Sequence, residues 1–125
     1  MAANFVGTLN TIPARVLDRG SATLLVGEKK LNLSPSAIGK NNGESVNLAI
    51  RPEALRLGAA NRNDFTVSGA IEEVQFLGSV LRLRASVLDS VVSLDTFNHP
   101  NVPPPAVGEQ VAIHFSPSDV ILLED

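Results

Sequence analysis

Apolar and polar residues alternate with a period of two along most of this chain. Val46, Leu48 and Ile50 fall on one side of their stretch, and Leu81, Leu83 and Ala85 oppose Val80, Arg82 and Arg84. Successive side chains of a strand point to opposite faces of a sheet, so this period belongs to strands with one buried face. The pattern predicts strands over Thr11–Leu17, Ala22–Val26, Lys30–Leu33, Ser45–Arg51, Leu55–Leu57, Phe65–Phe76, Val80–Val87, Val91–Asp95, Gln110–Phe115 and Val120–Leu123. Between them stand Asp18-Arg19-Gly20, Gly27-Glu28, Asn41-Asn42-Gly43, Gly58, Leu77-Gly78 and the proline-rich Asn98–Gly108. Gly and Asn accept positive φ, and Pro fixes φ and ends pairing. No long amphipathic helix is predicted; Ala2–Val6 can make a helical turn or the tail of a helix. Many short strands with Gly-rich turns predict an all-β sandwich or small barrel, and barrel closure removes exposed edges.

The chain also repeats itself. Gly43–Leu57 lies on Gly108–Leu122 without a gap, at a constant offset of 65, with Gly, Glu, Val, Pro and the final Leu identical. Leu48/Ile113, Ile50/Phe115 and Leu55/Val120 stay apolar. A shorter match sets Thr11–Val16 on Thr66–Ile71 at an offset of 55, so the second copy holds ten more residues, expected in the proline-rich stretch before Gly108. Each unit reads as a turn, a half-buried strand, a corner started by Pro52 or Pro117, and a short last strand. Proline has no N–H, so it stops the ladder and turns the chain. The expected organisation is a junction over 1–10, a first repeat over 11–60 and a second over 61–125.

These residues carry a resemblance. Val46-Asn47-Leu48-Ala49-Ile50-Arg51-Pro52-Glu53 resembles the V-x-L-G-I-R-P-E signature of the transport-associated OB (TOBE) domain, with Ala49 where that signature has Gly. Ala3–Asn10 resembles the V-A-x-F-I-G-x-x-N segment that joins such domains to a preceding ATPase domain. Gly69–Gly78 resembles G-x-V-x-x-V-x-x-L-G, and Gly108 through Pro117 to Leu122 resembles the closing strands. The four matches stand in order over nearly the whole chain.

The resemblance implies two small OB-like five-stranded barrels, with strand exchange between them as one form. It implies the C-terminal accessory or regulatory domain of the ATP-binding subunit of a bacterial ABC importer. Its partners would be the N-terminal ATPase domain of the same chain, a second copy of that subunit in a homodimer and, indirectly, membrane permease subunits. Its place would be the cytoplasmic face of the cell membrane. ATP and Mg would belong to the parent, with no cofactor in this fragment. The junction and Asn98–Pro105 look closer to polyamine, iron or phosphonate importers than to sugar importers.

Composition narrows the chemistry. An apolar fraction of 44% with 18% charged residues fits a globular domain. The absence of Cys excludes disulfides and a thiolate nucleophile. A net charge of −3, no Trp and no Tyr argue against single-stranded nucleic-acid binding, which uses basic grooves and aromatic platforms. Gly39-Lys40 lacks the partner Gly and following Ser/Thr of a phosphate loop, so the fragment is expected to have no ATPase activity. His99 and His114 are too few for a zinc site, and His114 is expected to face solvent. Glu72 and Glu73 are neighbours on a strand and point apart. Arg82 and Arg84 share a face that reads as wet strand surface or as a contact for an anion or partner carboxylate. Arg51-Pro52-Glu53 is the leading candidate contact surface, with an alternative reading as a purely structural corner bearing an Arg–Glu pair. The alternative function is binding of a small ligand, an oxyanion or sugar, with Ser34, Ser36 and Lys40 as candidates.

Overall fold

In the computed structural model, residues 9–33, 40–98, 101 and 103–123 are described. The Ala3–Thr8 part of the junction, the Ala2–Val6 turn, Ser34, Ser36, Gly39 and His99 lie outside them. The described chain runs β1 (Asn10–Asp18), β2 (Thr23–Val26), β3 (Lys29–Asn32), β4 (Ser45–Ile50), a single 3-10 turn at Pro52–Ala54, β5 (Phe65–Leu77), β6 (Val80–Val87), β7 (Ser90–Phe97), β8 (Gln110–Phe115), a second 3-10 turn at Pro117–Asp119, and β9 (Ile121–Leu123). The alternation works as expected: in β1, Asn10, Ile12, Ala14 and Val16 turn inward while Thr11, Pro13 and Arg15 face out. The strands form two antiparallel sheets, ordered β3-β2-β1-β4-β9 and β7-β6-β5-β8. The fold is all-β, as read from the sequence.

The repeat holds at the level of individual hydrogen bonds. Asn10 pairs with Ile50 and Phe65 with Phe115, at the two offsets found in the sequence. Gly43 N donates to Val16 O at 2.7 Å, and Gly108 N to Ile71 O at 2.7 Å. The Glu44 carboxylate accepts from Asn41 N at 2.8 Å, and that of Glu109 from Ala106 N at 2.9 Å. The Gly-Glu identity is thus a turn chemistry: glycine at φ 87° or 92°, then a carboxylate closing the same turn.

The last segment of each copy crosses to the other copy's sheet. Ala49 of β4 lies opposite Ile121 of β9, and the equivalent His114 of β8 lies opposite Arg56. The strand-exchanged form is therefore the observed one. Leu55–Leu57, however, is not a strand: Arg56 makes one bridge with His114, and Gly58 at φ 91° turns the chain away.

The ten extra residues are also placed differently from expectation. Arg15 lies opposite Leu25, ten positions on, whereas Ala70 lies opposite Ser86, sixteen on. Six of the ten therefore lengthen the β5–β6 hairpin, and the other four fall between Val91 and Gly108. The lengthened arm is the segment that carries the Gly69–Gly78 motif, and Phe76 near its tip is 62% exposed.

One apolar cluster joins both copies, including Ile12, Leu48 and Ile50 from the first and Leu83, Leu94, Ile113 and Phe115 from the second. Each such side chain contributes roughly 1.5–3 kcal/mol on burial. Buried Asn10 adds a polar staple: its Nδ2 donates to Ser93 O at 2.7 Å and its Oδ1 accepts from Ser93 N at 2.8 Å. The side-chain amide thus pairs with the edge of β7 as a strand residue would.

The shared turn gives a direct test of the repeat. A Cβ at either glycine meets no neighbour within 4 Å, so the cost of Ala there is conformational alone. Gly43→Ala and Gly108→Ala are expected to destabilise by about 1–2 kcal/mol each, and by equal amounts, as measured by urea unfolding.

Candidate contact surface at the proline corners

The two proline corners are brought together. Arg51, Glu53 and Ala54 from the first and Ser118, Asp119 and Ile121 from the second line a single cleft of about 380 Å³. Each corner is one 3-10 turn started by its proline. Ala54 N donates to Arg51 O at 2.9 Å, and Asp119 N to Ser116 O at 2.9 Å. Buried Leu55 anchors the first turn in the core.

The corners differ in what their side chains do. Ser116 Oγ accepts from Ser118 N at 3.3 Å and shares a hydrogen bond with Ser118 Oγ at 2.8 Å, so the second corner caps itself. Arg51 makes no such cap. Among the described residues, Arg51 and Glu53 form no ion pair with each other, so the Arg–Glu pair expected of a purely structural corner is not made.

Glu53 also lines a second cleft, of about 370 Å³, where Leu55, Arg56 and Leu57 face Val80, Asp95, Thr96 and Phe97 across the open seam of the second sheet. Arg82 touches this region through Asp95. Its Nε and Nη2 donate to Oδ1 and Oδ2 at 3.0 and 3.1 Å in a two-point pair across β6 and β7. That pair holds the Asp95 carboxyl below its usual range and raises the Arg82 guanidinium further. Arg84 stands 3.8 Å from Glu73 on the neighbouring β5, away from the corners. Both arginines lie on the wet face, as the alternation requires, and both are engaged by cross-strand carboxylates. Their readiness for an outside anion is correspondingly reduced.

The expected exposure of His114 is wrong. It is 5% exposed, because the crossing Arg56 segment covers β8 there. Its Nε2 donates to Gly58 O at 2.7 Å, and its Nδ1 lies 2.8 Å from Thr66 Oγ1. A carbonyl can only accept, so Nε2 carries a proton, and in the neutral ring Nδ1 accepts from the Thr66 hydroxyl. The repeat held the signal: His114 aligns with Ala49, the middle of three wholly buried residues, Leu48-Ala49-Ile50.

Sequence reasoning missed one further cluster. Asp64 Oδ2 accepts from Arg56 Nη2 at 2.7 Å and from Asn61 N at 2.8 Å, with only 3% of its side chain exposed. The Asn61 N–H and then the Arg56 guanidinium hold its carboxyl below the usual range, against the opposing effect of burial. The pair fastens the connection between the copies, eight residues apart in sequence, and no motif marks it.

With this geometry in place, comparison with known proteins becomes decisive. The model of the TOBE domain family matches residues 48–123, which include both corners, the arm and β9. The chain belongs to the TOBE domain family. It is 32% identical over 125 residues to the spermidine/putrescine import ATP-binding protein PotA of Pseudomonas fluorescens (strain Pf0-1), covering 98% of this chain and 34% of that protein. It is 34% identical over 85 residues to the alpha-glucoside transport ATP-binding protein AglK of Rhizobium meliloti (strain 1021), covering 65% of this chain and 23% of that one. A putative 2-aminoethylphosphonate import ATP-binding protein PhnT of Salmonella typhimurium is 29% identical over 125 residues, with 98% and 33% covered. This TOBE domain thus spans about a third or less of the length of these relatives. Among solved structures, molybdate-bound ModG, a cytoplasmic molybdate-binding protein, superposes with a TM-score of 0.62 at 14% identity, over 90% of this chain and 94% of that one. That likeness supports the paired OB-type fold.

The depressed carboxyl of Asp64 sets a pH test. A carboxyl with a lowered folded pKa gives stability that is full above the ordinary value of about 3.9 and lost as pH falls through the folded value. Asp64→Asn is expected to lower Tm at pH 7 and to flatten the loss of Tm below about pH 4, read by circular dichroism from pH 7 to pH 2.

Proposed function

We propose that this TOBE domain is the C-terminal accessory domain of the ATP-binding subunit of an ABC importer, and that its work is contact. The carrying observation is the cleft between the proline corners, where Arg51 and Glu53 stand outward without serving their own turn. Their partners would be the ATPase domain of the same chain or the second subunit of a homodimer, with the permease reached indirectly at the cytoplasmic membrane face. The matches to PotA and PhnT, which run over 98% of this chain, support a polyamine or phosphonate importer; iron is a further candidate solute.

ATP and Mg would be held elsewhere in the parent. The residues here do not fit them: Lys40 leads into the Asn41–Glu44 turn and strand β4, so no helix N-terminus stands behind it to meet phosphates. ATP hydrolysis is assigned to the parent and not to this domain.

The second reading is a small-ligand domain for an oxyanion or sugar. The size of the corner cleft supports it, since about 380 Å³ lies within the range of small-molecule sites.

Two measurements separate the readings. Calorimetry of the domain against molybdate, sulfate, maltose and spermidine is expected to give no saturable heat, and micromolar binding of any one would replace the contact reading. In the complete ATP-binding subunit, Arg51→Ala with Glu53→Ala is expected to lower ATP-driven transport by about tenfold, while surface substitutions of this kind shift domain stability by only about 0.5 kcal/mol. Unchanged transport would leave the corner as structure alone.

A further inference from the structure

We infer that the tip of the β5–β6 arm docks into an apolar recess on the ATPase domain of its own chain, an inference that rests on the importer reading. The arm carries a core pattern past the end of the core. Val74 lies opposite Leu83 and Phe76 opposite Leu81, so these four share the arm's inner face. Val74 packs on the core, and Leu81 and Leu83 are buried in it, yet Phe76 is 62% exposed. On the outer face at the same end, Leu77 lies opposite Val80 and is 49% exposed. Between them Gly78 turns at φ 79°, and a Cβ there would meet nothing within 4 Å, so the turn faces open space.

The fold gives no reason for an apolar tip. In the first copy the equivalent β1–β2 hairpin is shorter and ends in polar Asp18-Arg19-Gly20-Ser21. Behind Leu77 and Val80, the next row of the outer face is Gln75, Arg82 and Asp95. The two charges of that row are committed to each other at 3.0 and 3.1 Å. Recognition at the tip therefore comes from apolar burial, with Phe76 as the aromatic anchor that enters a pocket.

The occupant follows from where the chain enters the fold. Asn10 is fastened to Ser93 of β7, and Phe97, four residues further along β7, lies opposite Val80 at the tip. At the rise of a strand, the entry point is about 13 Å from the tip. This domain covers 34% of PotA, so on the importer reading the preceding domain has about 240 residues and a radius of gyration of about 18 Å. A body of that size, joined through the segment that leads into Asn10, has the tip within its reach. A patch of two large side chains is too small to hold a free partner. A tether supplies an effective concentration of the order of millimolar, at which such a patch suffices.

The test uses the complete ATP-binding subunit with a photoreactive benzophenone side chain in place of exposed Ser79. Unlabelled and isotope-labelled subunits are diluted together, reconcentrated and illuminated, and the crosslinked peptides are read by mass spectrometry. Crosslinks from the tip into the ATPase domain are expected, each within a single isotope. Mixed-isotope crosslinks, which mean a second copy, overturn the inference, and so does the absence of crosslinks to the ATPase domain. Adding Phe76→Ser with Leu77→Ser should lower the crosslink yield by about tenfold or more, while Gln75→Ser leaves it unchanged. An undiminished yield in the folded double variant also overturns the inference, and if that variant does not fold, the crosslinks of the parent decide. ATP hydrolysis by the same preparation tests the importer reading separately. An active subunit without tip crosslinks overturns the docking alone, whereas a complete chain that carries no ATPase domain overturns the reading and the docking together.

Discussion

The constraint beneath this fold is that the last segment of each copy cannot pair at home. Pro52 and Pro117 lack the N–H that would continue β4 and β8, and each starts a single 3-10 turn that redirects the chain. The redirected segment reaches the outer edge of the other copy's sheet, as β9 on β4 and Arg56 on β8. Burial follows from that crossing. Ala49 and His114 sit at positions that alternation would place on the wet face, yet both are buried, each directly opposite the crossing segment. The shared core, the adjoining corners and the paired sheets are consequences of one reciprocal exchange.

The copies have diverged where they touch. The first has a buried polar residue at Asn10 and an apolar one at Ala49; the second has Phe65 and His114 at the equivalent positions. Phe65 stacks obliquely on Phe115 with ring centres 5.5 Å apart, while Asn10 binds the β7 edge. A buried polar group left unpaired costs about 1–3 kcal/mol, so such residues persist only where every donor and acceptor has a partner. Asn10 and His114 both meet that condition, and among the described residues no buried side-chain polar atom lacks a partner.

Much of this was legible in the sequence. Period-two patterning located the nine strands found among the described residues to within a few residues, and the gapless offset of 65 located both corners. Other features were not legible. Leu55–Leu57 looks like a strand by composition, but a strand needs a continued partner, and Gly58 at positive φ removes it after one bridge. The length difference between the copies was assigned to prolines because they mark loops, whereas most of it extends a regular hairpin in which alternation simply continues. His114 was read by local parity, which cannot register cover supplied by a segment 58 residues away in sequence. For the corner charges, the sequence located the residues but could not tell whether Arg51 and Glu53 bind each other.

That last point bears on what the domain does. A polar or charged residue kept for structure should spend its side chain on structure. Ser116 does so by capping its own turn, Arg82 and Asp95 do so as a two-point pair across strands, and Asp64 does so by fastening the connection. Arg51 and Glu53 do none of these, although the same turn forms in the second copy with Ser116 and Ser118 in their places. An exposed Arg–Glu pair would itself have been worth only ~0–1 kcal/mol, so stability gives little reason to place these charges here. Their outward orientation into a cleft that both corners build supports the partner contact proposed for them.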